Sequence, residues 1–442
     1  MVNYRMIAKI IGQLLLLESL LMFVCLGVAV GYGEDDVLAF LLSATITSSV
    51  GMAFKYLGRR SGNNLNRRDS YLLVTATWIV FSAFGMLPFL IGGYITSVTD
   101  AYFETMSGFA TTGATILDDV ECLPHGILFW RTLSQWIGGL GIVFFTIAIL
   151  PSMVGGSMKV FAAEVTGPFK SKMHPRLTTS AKWLWSIYLA LTIACIICYW
   201  VAGMTWFDSI NYSMTTTATG GFAPHNDSAK YFISPAIEYI SIAFQFMAGT
   251  NFVLLYAFLF KGQVKQLFRN SEFRLYIGVV AGATVWIMYI LLTRLNYDLE
   301  QAFRSALFQV VSFITTTGLF NDDAGKWPHI TWVILGCCMF IGACAGSTSG
   351  GFKCIRGVMI IKVVHNEFRH LLHPNAVLPV KVNGQTIPPA KISSLLAFFA
   401  VYILMCLVTA TIMIAAGIDH TNAITISLSC MGNVGPTLGT EI

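Results

Sequence analysis

The chain has 442 residues, of which 55% are hydrophobic and only 11% charged, and its formal net charge is +5. Apolar runs near twenty residues long recur from one end to the other. No soluble domain of this size has that composition, so a water-soluble globular protein is excluded and an integral membrane protein is expected.

In chain order the apolar runs cover residues 10–32, 37–55, 70–94, 123–151, 181–203, 234–259, 275–295, 330–364 and 390–417. Each is long enough to cross a hydrocarbon core of about 30 Å at about 1.5 Å per residue, which predicts nine spans. The first carries Glu18 and lacks a small-residue cleavage site, so it is read as a retained helix rather than a removed leader. The ten cysteines lie mostly inside apolar runs, with neither zinc-ligand nor paired extracellular spacing, and are expected to be inert packing residues.

If the N-terminus is cytoplasmic, 22 of the 27 basic residues fall on that side, leaving Arg131, Lys230, Arg294, Arg304 and Lys326 outside. That is the positive-inside signature. The acids divide the other way, 17 of 22 lying outside. Acids scarcely influence insertion, so their bias reads either as a negative outer mouth that concentrates cations or as ordinary solvated loops.

For this count to hold, the chain must cross, dip back and cross again in four places. Four short, moderately apolar stretches suit a dip: 101–114, 209–221, 305–319 and 423–436, each ending in a glycine loop. Such a segment enters as a half-helix and returns as extended backbone, tolerable at membrane depth only where it lines water or is buried in protein. Carbonyl oxygens along an extended loop can replace the hydration shell of a cation, and glycine permits the φ values this needs. The candidate ligating stretches are Thr111-Thr112-Gly113, Ala218-Thr219-Gly220, Thr316-Thr317-Gly318 and Asn433-Val434-Gly435. The threonines can add hydroxyl ligands or bond the backbone in place. A single Thr-Gly loop reads more readily as a turn, but the four glycines lie 107, 98 and 117 residues apart, which marks units of about a hundred residues. Four such loops can surround one axis.

Inside the run 330–364 lies Gly342-Ala-Cys-Ala-Gly-Ser-Thr-Ser-Gly-Gly351, a composition no uninterrupted helix favours. Unwound backbone here is expected to border an aqueous cavity; the other reading is a close helix-packing surface of small residues. The candidate gate loop is Gly346, Ser347, Thr348, Ser349, Gly350, Gly351 and Lys353. Lys353 reads as an interfacial anchor or a gate latch, Arg356 as an anchor, and Glu18 and Asn251 as helix-to-helix hydrogen-bonding residues. The basic loop 159–182 is either plain topology signal or a docking surface.

The stretches Ser107-Gly-Phe-Ala-Thr-Thr-Gly-Ala114, Gln135-Trp-Ile-Gly-Gly-Leu-Gly-Ile142, Ala218-Thr-Gly-Gly-Phe222, Thr315-Thr-Thr-Gly318, Gly346-Ser-Thr-Ser-Gly-Gly-Phe-Lys353 and Gly432-Asn-Val-Gly-Pro436 together resemble the Trk/Ktr/HKT superfamily of cation transporters, closest to its TrkH-type subunits of bacterial potassium uptake systems. The resemblance covers nearly the whole chain. It implies an all-α integral membrane protein with four tandem helix–pore-loop–helix units around one pore, preceded by two extra transmembrane helices. The boundaries follow as 1–68 for the extra pair, then 69–165, 166–270, 271–375 with the gate loop, and 376–442. It also implies a homodimer in the bacterial inner membrane, a cytosolic TrkA-like nucleotide-binding ring as partner, K+ as the transported ion and no bound cofactor. Glycine in all four filters fits the potassium pattern. The family's fourth unit ends with a further helix, whereas the sequence stops at Ile442, so a truncated chain is expected and an arginine that relatives place in that helix has no position here.

Gated potassium conduction is therefore the leading functional reading, with no role for nucleic acid. The alternative is a symporter coupling potassium to H+ or Na+. Carriers usually carry midplane carboxylates and often inverted repeats, whereas these repeats run parallel and Glu18 is the only acid deep inside a predicted span, Glu238 lying near the end of 234–259. An enzyme is not expected: no His-Glu-x-x-His pair or Gly-x-Ser-x-Gly elbow occurs, and the eight histidines are scattered at loops. Gly350-Gly-Phe-Lys lacks the spacing of a phosphate loop.

Overall fold

The computed structural model describes residues 2–61, 66–141, 177–376 and 378–438. Most of the loop 159–182 lies outside them. Among the described residues the chain is helical apart from one two-stranded hairpin, Lys381–Val382 (β1) against Gln385–Thr386 (β2). It divides into two compact units, one holding the described residues through Tyr231 and the other those from Phe232 on.

The first unit opens with α1 (Tyr4–Tyr32) and α2 (Val37–Leu57). Asn3 caps α1 by accepting from the Met6 N–H at 3.1 Å, and Gly33 ends it in the left-handed conformation. The two helices pack backbone to backbone. A Cβ on Gly12 would stand 2.6 Å from both the Gly51 oxygen and the Lys55 nitrogen, so the small residues set the separation. Next come α3 (Arg67–Gly85) and a one-turn α4 (Leu87–Ile91), then α5 (Val98–Phe109), α6 (His125–Gly139), α7 (Leu177–Val201) and α8 (Trp206–Ala218).

In the second unit, α9 (Pro235–Ala248) and α10 (Phe252–Lys261) are followed by a short α11 (Val264–Arg269), then α12 (Ser271–Arg294) and α13 (Leu299–Ile314). The remainder is α14 (His329–Ile341), α15 (Cys354–Leu372), the hairpin, α16 (Pro389–Ala415) and α17 (His420–Gly432).

Among the described residues, six helical segments are long and apolar enough to cross a membrane. The predicted span 234–259 is not one of them: α9 and α10 meet at a 107° bend across Gly249-Thr250-Asn251. The run 330–364 is likewise interrupted, as its glycines predict, between α14 and α15. Large apolar side chains on the outward faces of the spans, such as Val285, Trp286 and Tyr289 on α12, are 60–64% exposed, as a lipid-facing surface requires.

Candidate ion-conducting site

The four dips are α5, α8, α13 and α17 with the chain that follows each. Their 12, 13, 16 and 13 residues reach about 18–24 Å at about 1.5 Å per residue, short of a bilayer core. Three are capped by a side chain at the N-terminus: Ser97 accepts from the Asp100 N–H, Thr205 from Asp208 and Asp419 from Thr421. Asp100, Asp208 and Glu300 sit in first turns, where a negative charge complements the macrodipole. These three acids thus have a structural role.

Every dip helix ends in the same backbone turn. A left-handed residue comes first: Thr111 at φ 55°, Thr219 at 54°, Thr316 at 57° and Asn433 at 54°. Two residues on stands a glycine with positive φ: Gly113 at 77°, Gly221 at 88°, Gly318 at 78° and Gly435 at 98°. The residue between them donates its N–H five residues back, Thr112 to Ser107, Gly220 to Thr215, Thr317 to Ser312 and Val434 to Ser429, at 2.8–2.9 Å. This register places Gly221, rather than Gly220, at the position of Gly113 in the second dip. The sequence offers two adjacent glycines there and only the dihedral angles separate them.

Glycine is needed for space as well as for φ. A Cβ on Gly113 would overlap the Gly220 carbonyl oxygen, and one on Gly318 would overlap that of Val434. Gly220 and Val434 are the middle residues of their turns, so within each unit the glycine of one dip abuts the same backbone atom of the next.

Six residues before each of these glycines stands a hydroxyl. Ser107 Oγ donates to the Ala114 carbonyl at 2.6 Å, and Ser312 Oγ to the Leu319 carbonyl at 2.6 Å, each tying the dip helix to its own return strand. In the second dip a relay does this. Thr215 Oγ1 donates to Gln135 Oε1 at 2.8 Å, which also accepts the Phe222 N–H at 3.1 Å, while Gln135 Nε2 donates to the Gly220 carbonyl at 2.7 Å. Ser429 holds the position in the fourth dip and is fully buried. The threonine hydroxyls of the turns are also spent on protein: Thr111 and Thr219 bond the preceding carbonyls at 2.7 Å, and Thr315 pairs with Thr317 at 2.7 Å.

The Gln135-Trp-Ile-Gly-Gly stretch gains its meaning here. On α6, Gln135 braces the second dip, Gly138 lies so close to the end of the first that a Cβ would overlap the Phe109 carbonyl, and a Cβ on Gly139 would stand 2.9 Å from the Ala218 Cα. One helix face thereby locks two dips. Arg131, one turn earlier, is fully buried with Glu104 at 2.9 Å, lies 4.2 Å from the Phe222 ring centre and donates to the Ala223 carbonyl at 3.3 Å. In the second unit Arg304 pairs with Glu238 at 2.5 Å and Glu300 at 2.9 Å.

Beside the second dip, His225 stacks on Tyr231 at 3.6 Å and meets Asp208 at 3.2 Å and Glu121 at 3.4 Å. Partial burial acts to lower its basicity, but the hydrogen bond and charge of Asp208, reinforced by Glu121, outweigh this and raise its pKa above the ordinary 6.5.

The interruption between α14 and α15 forms a lid, residues 342–353, that touches two of the dips. The Gly350 N–H donates to Thr316 Oγ1 at 2.6 Å, and a Cβ on Gly350 would stand 2.9 Å from the Asn433 Cβ. Its free backbone groups pair with those of the bend between α9 and α10. Cys344 N–H donates to the Gly249 carbonyl at 3.0 Å, Phe252 N–H to Gly346 at 3.0 Å and Thr348 N–H to Ala248 at 3.4 Å. Asn251 caps α10 and donates to the Ala345 carbonyl at 2.6 Å, a bridging role between segments as its composition suggested. Two unwound segments thus satisfy each other at a depth where water is scarce. Lys353, with φ 79° and 3% exposure, does not reach an interface: Nζ donates to the Ser349 carbonyl and, at 3.1 Å, to Ser349 Oγ. Arg356 stacks 4.0 Å over Phe398 and donates to the Phe352 carbonyl at 3.1 Å.

Spanning helices interleaved with four structurally equivalent glycine turns define a multi-pass membrane transporter. The chain belongs to the TrkH family, described as cation transport proteins, whose profile matches residues 38–442. It is 38% identical over 444 residues to the Trk system potassium uptake protein TrkH of Salmonella typhimurium, covering 99% of this chain and 91% of that protein. It is 39% identical over 442 residues, with the same coverage, to the TrkH of Vibrio parahaemolyticus. The crystal structure of the potassium transporter TrkH from Vibrio parahaemolyticus matches with a TM-score of 0.89 at 37% identity, over 99% of this chain and 91% of that one.

Proposed function

We propose that this chain conducts potassium into a bacterial cell across the inner membrane, with the four turns as its filter and the lid as its gate. The filter set is Thr111, Thr112, Gly113, Thr219, Gly220, Gly221, Thr316, Thr317, Gly318, Asn433, Val434 and Gly435, with Ala218 ending the second dip helix. The gate loop is Gly346 to Gly351 with Lys353. The observation that carries this reading is the fourfold turn, alike in dihedral signature and backbone hydrogen bonding, in which the hydroxyls of Thr111, Thr219 and Thr317 are bonded to the protein. That leaves backbone carbonyls as the ligands able to offset the dehydration of a monovalent cation. The names of the relatives support potassium as the cargo.

On this reading residues 1–68 are the extra helix pair and 69–165, 166–270, 271–375 and 376–442 the four pore units. The protein works as a homodimer with a cytoplasmic N-terminus, and a TrkA-like cytosolic nucleotide-binding ring acts on the lid. The test is ion flux in liposomes holding the purified protein, with and without the ring. Potassium flux exceeding sodium flux, scaling with driving force and increased by the ring, is the expected result. Equal passage of both ions refutes the filter, and proton or sodium movement in fixed ratio to potassium establishes a symporter instead.

A further inference from the structure

We infer that Glu272 is the clasp that holds the lid in place, a positioning residue on a loop to which it does not belong. The inference rests on the gate reading above and adds the group that fastens the gate.

Glu272 lies in the first turn of α12, just after the cap Asn270, whose Oδ1 accepts its N–H at 2.9 Å. An acid in a first turn ordinarily faces water, where it favours the helix N-terminus. This one is 4% exposed and turned into the protein. Its Oε1 accepts the Ala345 N–H at 2.5 Å and the Ile355 N–H at 3.2 Å. Those two amides bracket the lid, one near its start and the other in the first turn of α15. A single carboxylate oxygen therefore draws both ends of the loop together.

The remaining ties of the lid to the bend between α9 and α10 are made mostly between neutral backbone groups. Bonds to a carboxylate are shorter and about twice as strong. If Glu272 lets go, two amides lose their acceptor in a region where water cannot replace it, so the lid stays closed while the clasp holds. The neighbouring Ser271 N–H donates to Asn383 Oδ1 at 2.8 Å, in the turn of the β1–β2 hairpin. The hairpin's Val380, Val382 and Ile387 share one apolar cluster with Ala345 and Ile355. The first turn of α12 is thus where a displacement of the hairpin would reach the lid.

The chain carries its own reporters, because Cys344 and Cys354, both buried, immediately precede the two clasped amides. The experiment is maleimide labelling of the full chain in liposomes, read at each cysteine by peptide mass spectrometry, with basal potassium flux measured in the same vesicles. Glu272→Ala is expected to raise labelling of Cys344 and Cys354, and basal flux, by about tenfold or more, as the loss of a pair of charge-assisted bonds implies. Glu272→Gln keeps an acceptor oxygen and is expected to bring labelling back to an intermediate rate. Wild-type labelling in Glu272→Ala, or Glu272→Gln labelling as fast as Glu272→Ala, overturns the clasp. Faster labelling with unchanged flux upholds the clasp and refutes the lid as gate. Should Glu272→Ala fail to fold, Glu272→Asp keeps the charge but is one methylene short of serving both amides; wild-type labelling at both cysteines in that variant overturns the inference.

Discussion

Gln135 and Gly220 are joined by a 2.7 Å hydrogen bond from the glutamine amide on α6 to the carbonyl of the middle residue in the second turn. The same side chain accepts from Thr215 and from Phe222, so one glutamine holds three points of a dip that it is not part of. Gln135→Leu leaves a buried carbonyl, an amide and a hydroxyl without partners, each costing about 1–3 kcal/mol when unsatisfied. The variant is expected to lose thermal stability by several degrees and to lower the potassium-to-sodium flux ratio. Gln135→Glu keeps the acceptor for Thr215 and Phe222 but sets a buried carboxylate oxygen against the Gly220 carbonyl, so it is expected to be destabilised at least as much. An unaltered flux ratio in Gln135→Leu would show that the brace does not shape the turn.

Gly221 separates the two candidate registers of the second turn. At φ 88° an L-residue is strained by about 1–2 kcal/mol. Gly221→Ala and Gly113→Ser are expected to reduce potassium-over-sodium discrimination, the first because a side chain strains the positive φ of its turn and the second because a Cβ there overlaps the Gly220 carbonyl oxygen as well. Relative flux of the two ions in liposomes decides it. Discrimination retained in Gly221→Ala would return the position to Gly220.

How far sequence carried the reading is clear from particular residues. The helices α1 and α2, the four short helices with their glycine turns and the break between α14 and α15 were legible because glycine clusters and apolar length act locally, through backbone freedom and membrane thickness. The bend at Gly249-Thr250-Asn251 was not, since the residues flanking it are as apolar as those of any span and only the lid's matching unpaired backbone makes the break tolerable. Gln135, Arg131 and Glu272 were also missed as functional supports. Gln135 sat in a recognised motif with no assigned task, and Glu272 lay at a helix start where an acid is commonplace. Their partners are 85, 92 and 73 residues away, beyond any local pattern.

His225 gives the protein a pH dependence whose sign is fixed by its neighbours. Its folded pKa is raised by Asp208 and Glu121 against the opposing effect of burial, while the unfolded value stays near 6.5. The stabilisation is therefore fully present below that value and is lost as pH rises through the folded pKa. Thermal stability is expected to fall as pH rises from about 6.5 through the folded pKa, and His225→Gln should flatten that slope. Parallel melting curves for both proteins across that range are the check, and identical slopes would remove His225 from the account.

Lys353 distinguishes a lid fastened for function from one packed for stability. Its ammonium is buried, held by one carbonyl and one hydroxyl of Ser349 and by the opposite charge of Glu272, which together offset part of the several kcal/mol that burying a charge costs. Lys353→Met fills the same volume and removes that cost but also takes the counter-charge from Glu272, so the melting temperature is expected to stay nearly unchanged. The lid nevertheless loses its internal tie between Lys353 and Ser349, so basal potassium flux without the cytosolic ring is expected to increase severalfold. A purely structural lysine predicts the opposite pair of results, a lower melting temperature with flux unchanged. Measuring both on the same preparation separates the two, because a lid that merely unfolds would also lose its protection of Cys344, whereas one that swings open would expose Cys344 while the melt stays cooperative.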